Sequence, residues 1–204
     1  MIAIIDYGVG NVFSLCSSLK YIGWDAVITG DKDVLKRCDK LLLPGVGAYA
    51  DAIRKLREGG LSEVVIEEAQ KGKPILGVCL GMQLLFEKSY EFGEHEGLGL
   101  LRGDIMPIKS RIPEDYKIPH IGWNALKFPA GQKPSLLKYI SEGDYVYFVH
   151  SLHAEQCDDS TIATTDYGGE LTAAVTSGNI YGTQFHPEKS SEVGLNILRA
   201  FAEL

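Results

Sequence analysis

Positive charge is scarce in this chain and nowhere gathered. Its 204 residues hold 20 Lys and Arg against 27 Asp and Glu, a net charge of −7. Nucleic acid is not expected as a partner, because phosphate binding needs a concentrated basic face. Long apolar runs are missing too. Nowhere do about 18 or more predominantly apolar residues follow one another, as a membrane-spanning helix requires. The stretch from Met1 to Asp6 carries no basic segment and reads as a first strand rather than an export signal. The four cysteines, Cys16, Cys38, Cys79 and Cys157, lack C-x-x-C spacing. Without an export signal they read as free thiols, which points to the cytoplasm. His95, His150 and His153 show no metal-ligand spacing, His95 reading as an exposed surface residue, so neither metal nor cofactor is expected. No repeat, low-complexity tract or linker divides the chain. With 45% hydrophobic residues it reads as one domain, residues 1–204.

The first half alternates strand-like and helix-like segments. Residues 2–6, 25–28, 41–43 and 74–78 read as strands. Val12, Leu15, Cys16, Leu19 and Ile22 recur at helical spacing, and residues 49–58, 61–71 and 80–87 also read as helical. This alternation predicts an α/β fold with a doubly wound, mostly parallel sheet. In such sheets sites form beyond the carboxyl ends of strands, here the turns at 44–47 and 77–81. The second half changes character. Residues 93–119 read as loop-rich. Short runs at 123–128, 145–149, 161–165, 171–176 and 180–185 predict an antiparallel extension, its last pair joined as a hairpin through Ser177-Gly178-Asn179. A closing helix is expected at 191–203.

Gly77-Val78-Cys79-Leu80-Gly81 carries the sharpest chemical signal. It places Cys79 on a strand-to-helix turn with a glycine two residues away on each side, the logic of the G-x-S-x-G nucleophile elbow with sulfur for oxygen. N–H groups at the helix start favour the thiolate, the reactive form. A lone buried cysteine is more often structural than catalytic, but a second segment, Gln184-Phe185-His186-Pro187-Glu188, changes the balance. If this stretch is extended, His186 and Glu188 point the same way. Proline keeps His186 out of the helical region. Glu188 can then orient one ring nitrogen while the other faces a thiol, completing a nucleophile–base–orienter set. Gln83 and Glu87, four and eight residues beyond Cys79, are expected to share a helix face with it.

These two segments resemble the paired signatures of the class I, triad-type glutamine amidotransferases, and the resemblance covers essentially the whole chain. Within that class, Asp6 to Asn11, Pro44-Gly45-Val46-Gly47, His120-Ile121-Gly122-Trp123-Asn124, Phe148-Val149-His150-Ser151 and His186 to Ser190 are similar to the glutaminase subunits of imidazole glycerol phosphate synthases. The resemblance implies a flavodoxin-like domain that hydrolyses glutamine. Ammonia then passes to a separate (β/α)₈-barrel synthase subunit of the histidine pathway. It implies Cys79, His186 and Glu188 as catalytic residues and the Leu80 and Val46 N–H groups as oxyanion donors. Gly47, Gln83, Ser151 and Leu152 fall around the substrate, and Asn11 and Trp123 at the partner interface. By itself Asn11 reads as a helix cap, and Trp123 as a core residue of a strand entry. The chain departs from the family at Leu152, where an aromatic residue is usual. Three other readings share part of this pattern: the glutaminase of another synthase, such as one making anthranilate; a stand-alone cysteine hydrolase or peptidase; and a non-catalytic binding module. His120 to Asn124 argue against the first, and the intact Cys79, His186 and Glu188 against the last.

Overall fold

The computed structural model describes residues 1–129 and 134–204. In its first half, strand and helix alternate as β1 (Ile2–Ile5), α1 (Val12–Tyr21), β2 (Ala26–Thr29), α2 (Lys32–Arg37), β3 (Lys40–Leu43), α3 (Tyr49–Glu58), α4 (Leu61–Gln70), β4 (Ile75–Val78) and α5 (Leu80–Leu84). The remaining strands are β5 (Phe86–Ser89), β6 (His95–Glu96), β7 (Leu101–Pro107), β8 (His120–Ala125), β9 (Tyr145–His150), β10 (Leu152–Glu155), β11 (Thr161–Asp166), β12 (Glu170–Ser177) and β13 (Ile180–Thr183). The last helix is α6 (Ser191–Ala202).

The main sheet has the order β11-β12-β13-β4-β3-β1-β2. Its five strands from β13 to β2 are parallel, and β12 and β11 extend it antiparallel beyond β13. The parallel part has the strand order of a flavodoxin-like sheet. Its strands are nearly continuous apolar runs because both faces are covered. Period-two alternation divides them between two cores. Ala3, Ile5, Leu41, Leu43 and Ile75 pack with Ala52, Ile53 and Leu56 of α3 and with Val64 and Val65 of α4. Ile2, Ile4, Leu42, Leu76 and Val78 pack on the opposite side with Leu15 and Leu19 of α1 and Leu198 and Phe201 of α6. A second sheet, β10-β7-β5-β6, and the β8-β9 ribbon complete the architecture. No helix among the described residues is long and apolar enough to cross a membrane.

Four features depart from the sequence-based expectations. The helix after Cys79 stops at Leu84, and Phe86 to Ser89 form β5, so Glu87 does not share a helix face with the cysteine. The cause is tertiary. β5 pairs with β6 and β7, and the Leu84 and Leu85 carbonyls accept hydrogen bonds from Leu98 and Leu100. Glu87 Oε2 accepts from the Gly103 N–H at 2.9 Å. The segment 93–119 is also more ordered than its composition suggests, since it contains β6 and the seven-residue β7. Gly103 breaks the apolar alternation of β7, yet only glycine fits there: its φ is +114°, and a Cβ would lie 2.4 Å from the Glu155 carbonyl oxygen. The third departure is α2, which carries no long apolar period and is held by Asp31, whose Oδ1 caps the Asp33 and Val34 N–H groups. The fourth is His95, which is half-buried rather than exposed, its Nε2 3.0 Å from the Glu91 carbonyl oxygen. The four cysteines are buried free thiols.

Candidate active site

Cys79 occupies the turn between β4 and α5 with φ 53° and ψ −113°, a conformation rarely open to a residue with a Cβ. Neighbouring structure holds it there: its N–H donates to Thr183 O at 2.7 Å, and its carbonyl accepts from Gln83 N at 3.2 Å. Glycine at Gly81 is obligatory, since a Cβ would lie 1.9 Å from Leu43 O. Gly45 is equally constrained, a Cβ there falling 2.5 Å from Gly81 N. The turns that close β3 and β4 are thus pressed together, and Val46 lines the same cavity as Cys79. Tyr7 braces the first turn, its hydroxyl donating to Pro44 O at 2.7 Å. Burial, then the charge on Cys79, push the Tyr7 phenol upward, so it stays protonated.

His186 follows β13, and its main-chain N–H donates to Tyr147 O at 3.0 Å. Its side chain is 2% exposed and its Nδ1 lies 2.9 Å from Glu188 Oε1. The expected route to this contact is corrected. Pro187 to Lys189 form a 3₁₀ turn rather than an extended segment, and the turn brings the carboxylate back to the ring. Burial opposes charge on His186, but interactions with Cys79 and Glu188 outweigh it and raise the imidazole to about 9. The ring is therefore charged at neutral pH.

Cys79 and His186 line a cavity of about 260 Å³. Val46, Gly47 and Leu80 border it on the side of the two turns, and Gln83, Ser151 and Leu152 on the other. Leu152 is buried at the start of β10, so an aliphatic side chain fills the place of the expected aromatic. Sequence reasoning missed Glu91 and His150 in the same wall. His150 Nδ1 donates to Leu152 O at 2.7 Å, and its Nε2 lies 3.0 Å from His120 Nδ1. Burial pulls His120 down to about 4, and burial, outweighing the hydrogen bond to the Leu152 carbonyl, pulls His150 down to about 3, so both rings are neutral. Gln184 was missed as well, although it lies two residues before His186 in the segment that follows β13. It is fully buried, and its Nε2 lies 3.7 Å from Cys79 Sγ.

Asn11 and Trp123 lie outside this cavity. Asn11 sits at the N-cap position of α1 but makes no side-chain cap hydrogen bond. Trp123 on β8 is 49% exposed and packs edge-on against Tyr147. It is not a core residue. Ile121 and Tyr145 are exposed on the same ribbon. Among the described residues, no group of three or more His, Cys, Asp or Glu side chains could hold a metal ion.

Comparison with known proteins adds family evidence. Residues 3–203 match the model of the family described as "Glutamine amidotransferase class-I". The chain is 48% identical to the imidazole glycerol phosphate synthase subunit HisH of Wolinella succinogenes, covering 100% of both chains. It is 50% identical to the HisH subunit of Sulfurimonas denitrificans, covering 100% of this chain and 98% of the relative. Among solved structures, a glutamine amidotransferase superposes with a TM-score of 0.76 at 18% identity, covering 100% of this chain and 99% of the other. PurLQS from Thermotoga maritima gives 0.75 at 19% identity, with coverages of 99% and 97%. At such low identities these superpositions speak to the fold alone.

Proposed function

The chain belongs to the class-I glutamine amidotransferase family, and from that membership we propose that it is the glutaminase subunit of an imidazole glycerol phosphate synthase. Residues 1–204 form its single glutaminase domain, and it works in the cytoplasm. The observation that carries the reading is that the buried His186, paired with Glu188, opens with Cys79 onto one small cavity.

Glutamine enters with its side-chain carboxamide against Cys79. As Sγ bonds to the carboxamide carbon, the thiol proton is held by His186, and Glu188 stabilises the resulting imidazolium. The oxyanion needs donors where its charge develops. The Leu80 N–H, next to the nucleophile, is one, and the Val46 N–H is the second. The tetrahedral intermediate collapses, His186 protonates the leaving nitrogen, and ammonia departs. Water, deprotonated by the same ring, then attacks the thioester and releases glutamate and the thiolate. Gly47, Gln83, Ser151 and Leu152 hold the substrate. An aliphatic Leu152 holds it through its backbone and by excluding water, without an aromatic face.

The ammonia passes to a (β/α)₈-barrel partner subunit. Trp123 is the apolar anchor of that interface, flanked by exposed Ile121 and Tyr145, and Asn11 contributes a side chain free of capping duty. A half-exposed tryptophan on a ribbon with other exposed apolar residues is typical of an interface centre. The test is glutaminase activity of the chain alone, with a barrel subunit, and with that subunit's nucleotide ligand. Hydrolysis that rises on adding partner and ligand supports the reading. Full activity of the isolated chain, indifferent to any barrel subunit, would place it with stand-alone hydrolases instead.

A further inference from the structure

We propose that Gln184 is a further catalytic residue, a donor to the Cys79 sulfur whose orientation is dictated by Gln83 and the carbonyl of Leu152. The proposal rests on the reading of Cys79 as the nucleophile.

The two ends of a glutamine amide look alike in shape but are opposite in hydrogen-bonding character. Here the surroundings decide between them. The Leu152 carbonyl oxygen can only accept, so the Gln83 atom 3.4 Å from it must be the amino end. That same Gln83 Nε2 lies 2.9 Å from the Gln184 amide, so Gln184 must turn its oxygen toward it. One end of Gln184 is then committed, and the end that remains is the amino group. It faces Cys79 Sγ at 3.7 Å, hydrogen-bond range for sulfur. The chain of donors has one direction, from Gln83 through Gln184 to the nucleophile. Its reference point is itself fixed, because the neutral His150 also donates to Leu152 O.

Burial gives this arrangement its effect. Gln184 is fully buried and Gln83 is 3% exposed, so water does not compete for these groups. A buried amide costs free energy unless it is partnered. An aliphatic side chain could occupy this position if filling space were the only requirement. As its proton moves to His186, the sulfur becomes an anion, and an N–H aimed at an anion makes a stronger hydrogen bond than one aimed at a neutral atom. Gln184 therefore favours the thiolate before attack. It does so again when the C–S bond breaks, the electron pair returns to sulfur and glutamate leaves.

The test is the rate of iodoacetamide alkylation at Cys79 across the acid-to-alkaline range, followed by peptide mass spectrometry on the full chain. The titratable groups around the sulfur are His186 with Glu188, His150, Glu91 and Tyr7, and Gln184→Met leaves all of them in place. In Gln184→Met the alkylation profile should move toward alkaline pH. The rate near neutrality should fall about tenfold or more, the effect of losing one hydrogen bond to a charged group. A folded Gln184→Met protein whose profile superposes on the wild type overturns the proposal. If the methionine variant does not fold, Gln184→Asn decides, since it keeps an amide but withdraws it by one methylene. The same loss is expected there, and an unchanged profile overturns the proposal equally. A wild-type Cys79 no more reactive than Cys16, Cys38 or Cys157 would instead overturn the nucleophile reading on which all this depends.

Discussion

Replacing Glu188 by glutamine removes one negative charge from His186 while keeping the shape of its partner. In the wild type the ring is 2% exposed, its Nδ1 is 2.9 Å from Glu188 Oε1, and it stands at about 9 rather than the ordinary 6.5. That difference is worth about 3 kcal/mol. A histidine raised on folding stabilises the native state fully below the unfolded value of 6.5, and the contribution fades as pH rises through about 9. Wild-type stability should therefore decline over this window, and in Glu188→Gln the decline should be smaller and end at lower pH. Catalysis should follow the same logic. The imidazolium must survive to protonate the leaving nitrogen, so the basic limb of the kcat profile should move toward acid. Glu188→Gln still offers an oxygen to Nδ1, so the ring orientation is kept and only charge support is lost. The cost should be about 10- to 100-fold in kcat, as for a hydrogen bond to a charged group. His186→Ala should be nearly as severe as loss of Cys79, because these groups act as a unit. The assays are glutamate release by the assembled complex against pH, and thermal unfolding of the chain against pH. An unchanged kcat and basic limb in Glu188→Gln, with His186→Ala inactive, would refute the assignment of Glu188 as the orienting carboxylate.

Three other outcomes are expected. Cys79→Ala should abolish glutamine hydrolysis while ammonia-dependent synthesis by the complex survives; a glutamine-mimicking electrophile should label Cys79 and leave the buried Cys16, Cys38 and Cys157 unmodified, as peptide mapping would report. Trp123→Ala should weaken the heterodimer by about 2 kcal/mol or more in a titration calorimeter, since a half-exposed aromatic anchor is a hot-spot residue, and the free chain should melt at its usual temperature. Val46→Pro deletes the N–H proposed as the second oxyanion donor and should depress ligand-stimulated hydrolysis by about 10²–10³; because proline also restricts Gly45, a structure of the variant belongs with the measurement. Full stimulation in a correctly folded Val46→Pro complex would move the second donor elsewhere.

The sequence by itself determined the parts of this protein that depend on short-range constraints. The alternation of apolar runs with helical periods predicted a parallel sheet because each element must bury one face or both. Glycines flanking Cys79 announced the elbow because a sharp turn and a close approach exclude side chains at the positions two residues before and two residues after the cysteine. The spacing of His186 and Glu188 foretold their hydrogen bond, although a 3₁₀ turn delivers it. What only the tertiary structure decided depends on groups far apart along the chain. Phe86 to Ser89 carry no local signal strong enough to stop a helix; β6 and β7 stop it by offering backbone partners. Leu101 to Pro107 became a strand across a glycine that weakens its pattern, because that glycine lets the Glu155 backbone approach. Trp123 could have faced the core until the β8–β9 ribbon left it half-exposed. Gln83 and Gln184 meet at 2.9 Å across 101 positions of sequence. No periodicity encodes such a meeting; it exists because β4 and β13 run side by side and deliver their carboxyl ends to the same cavity.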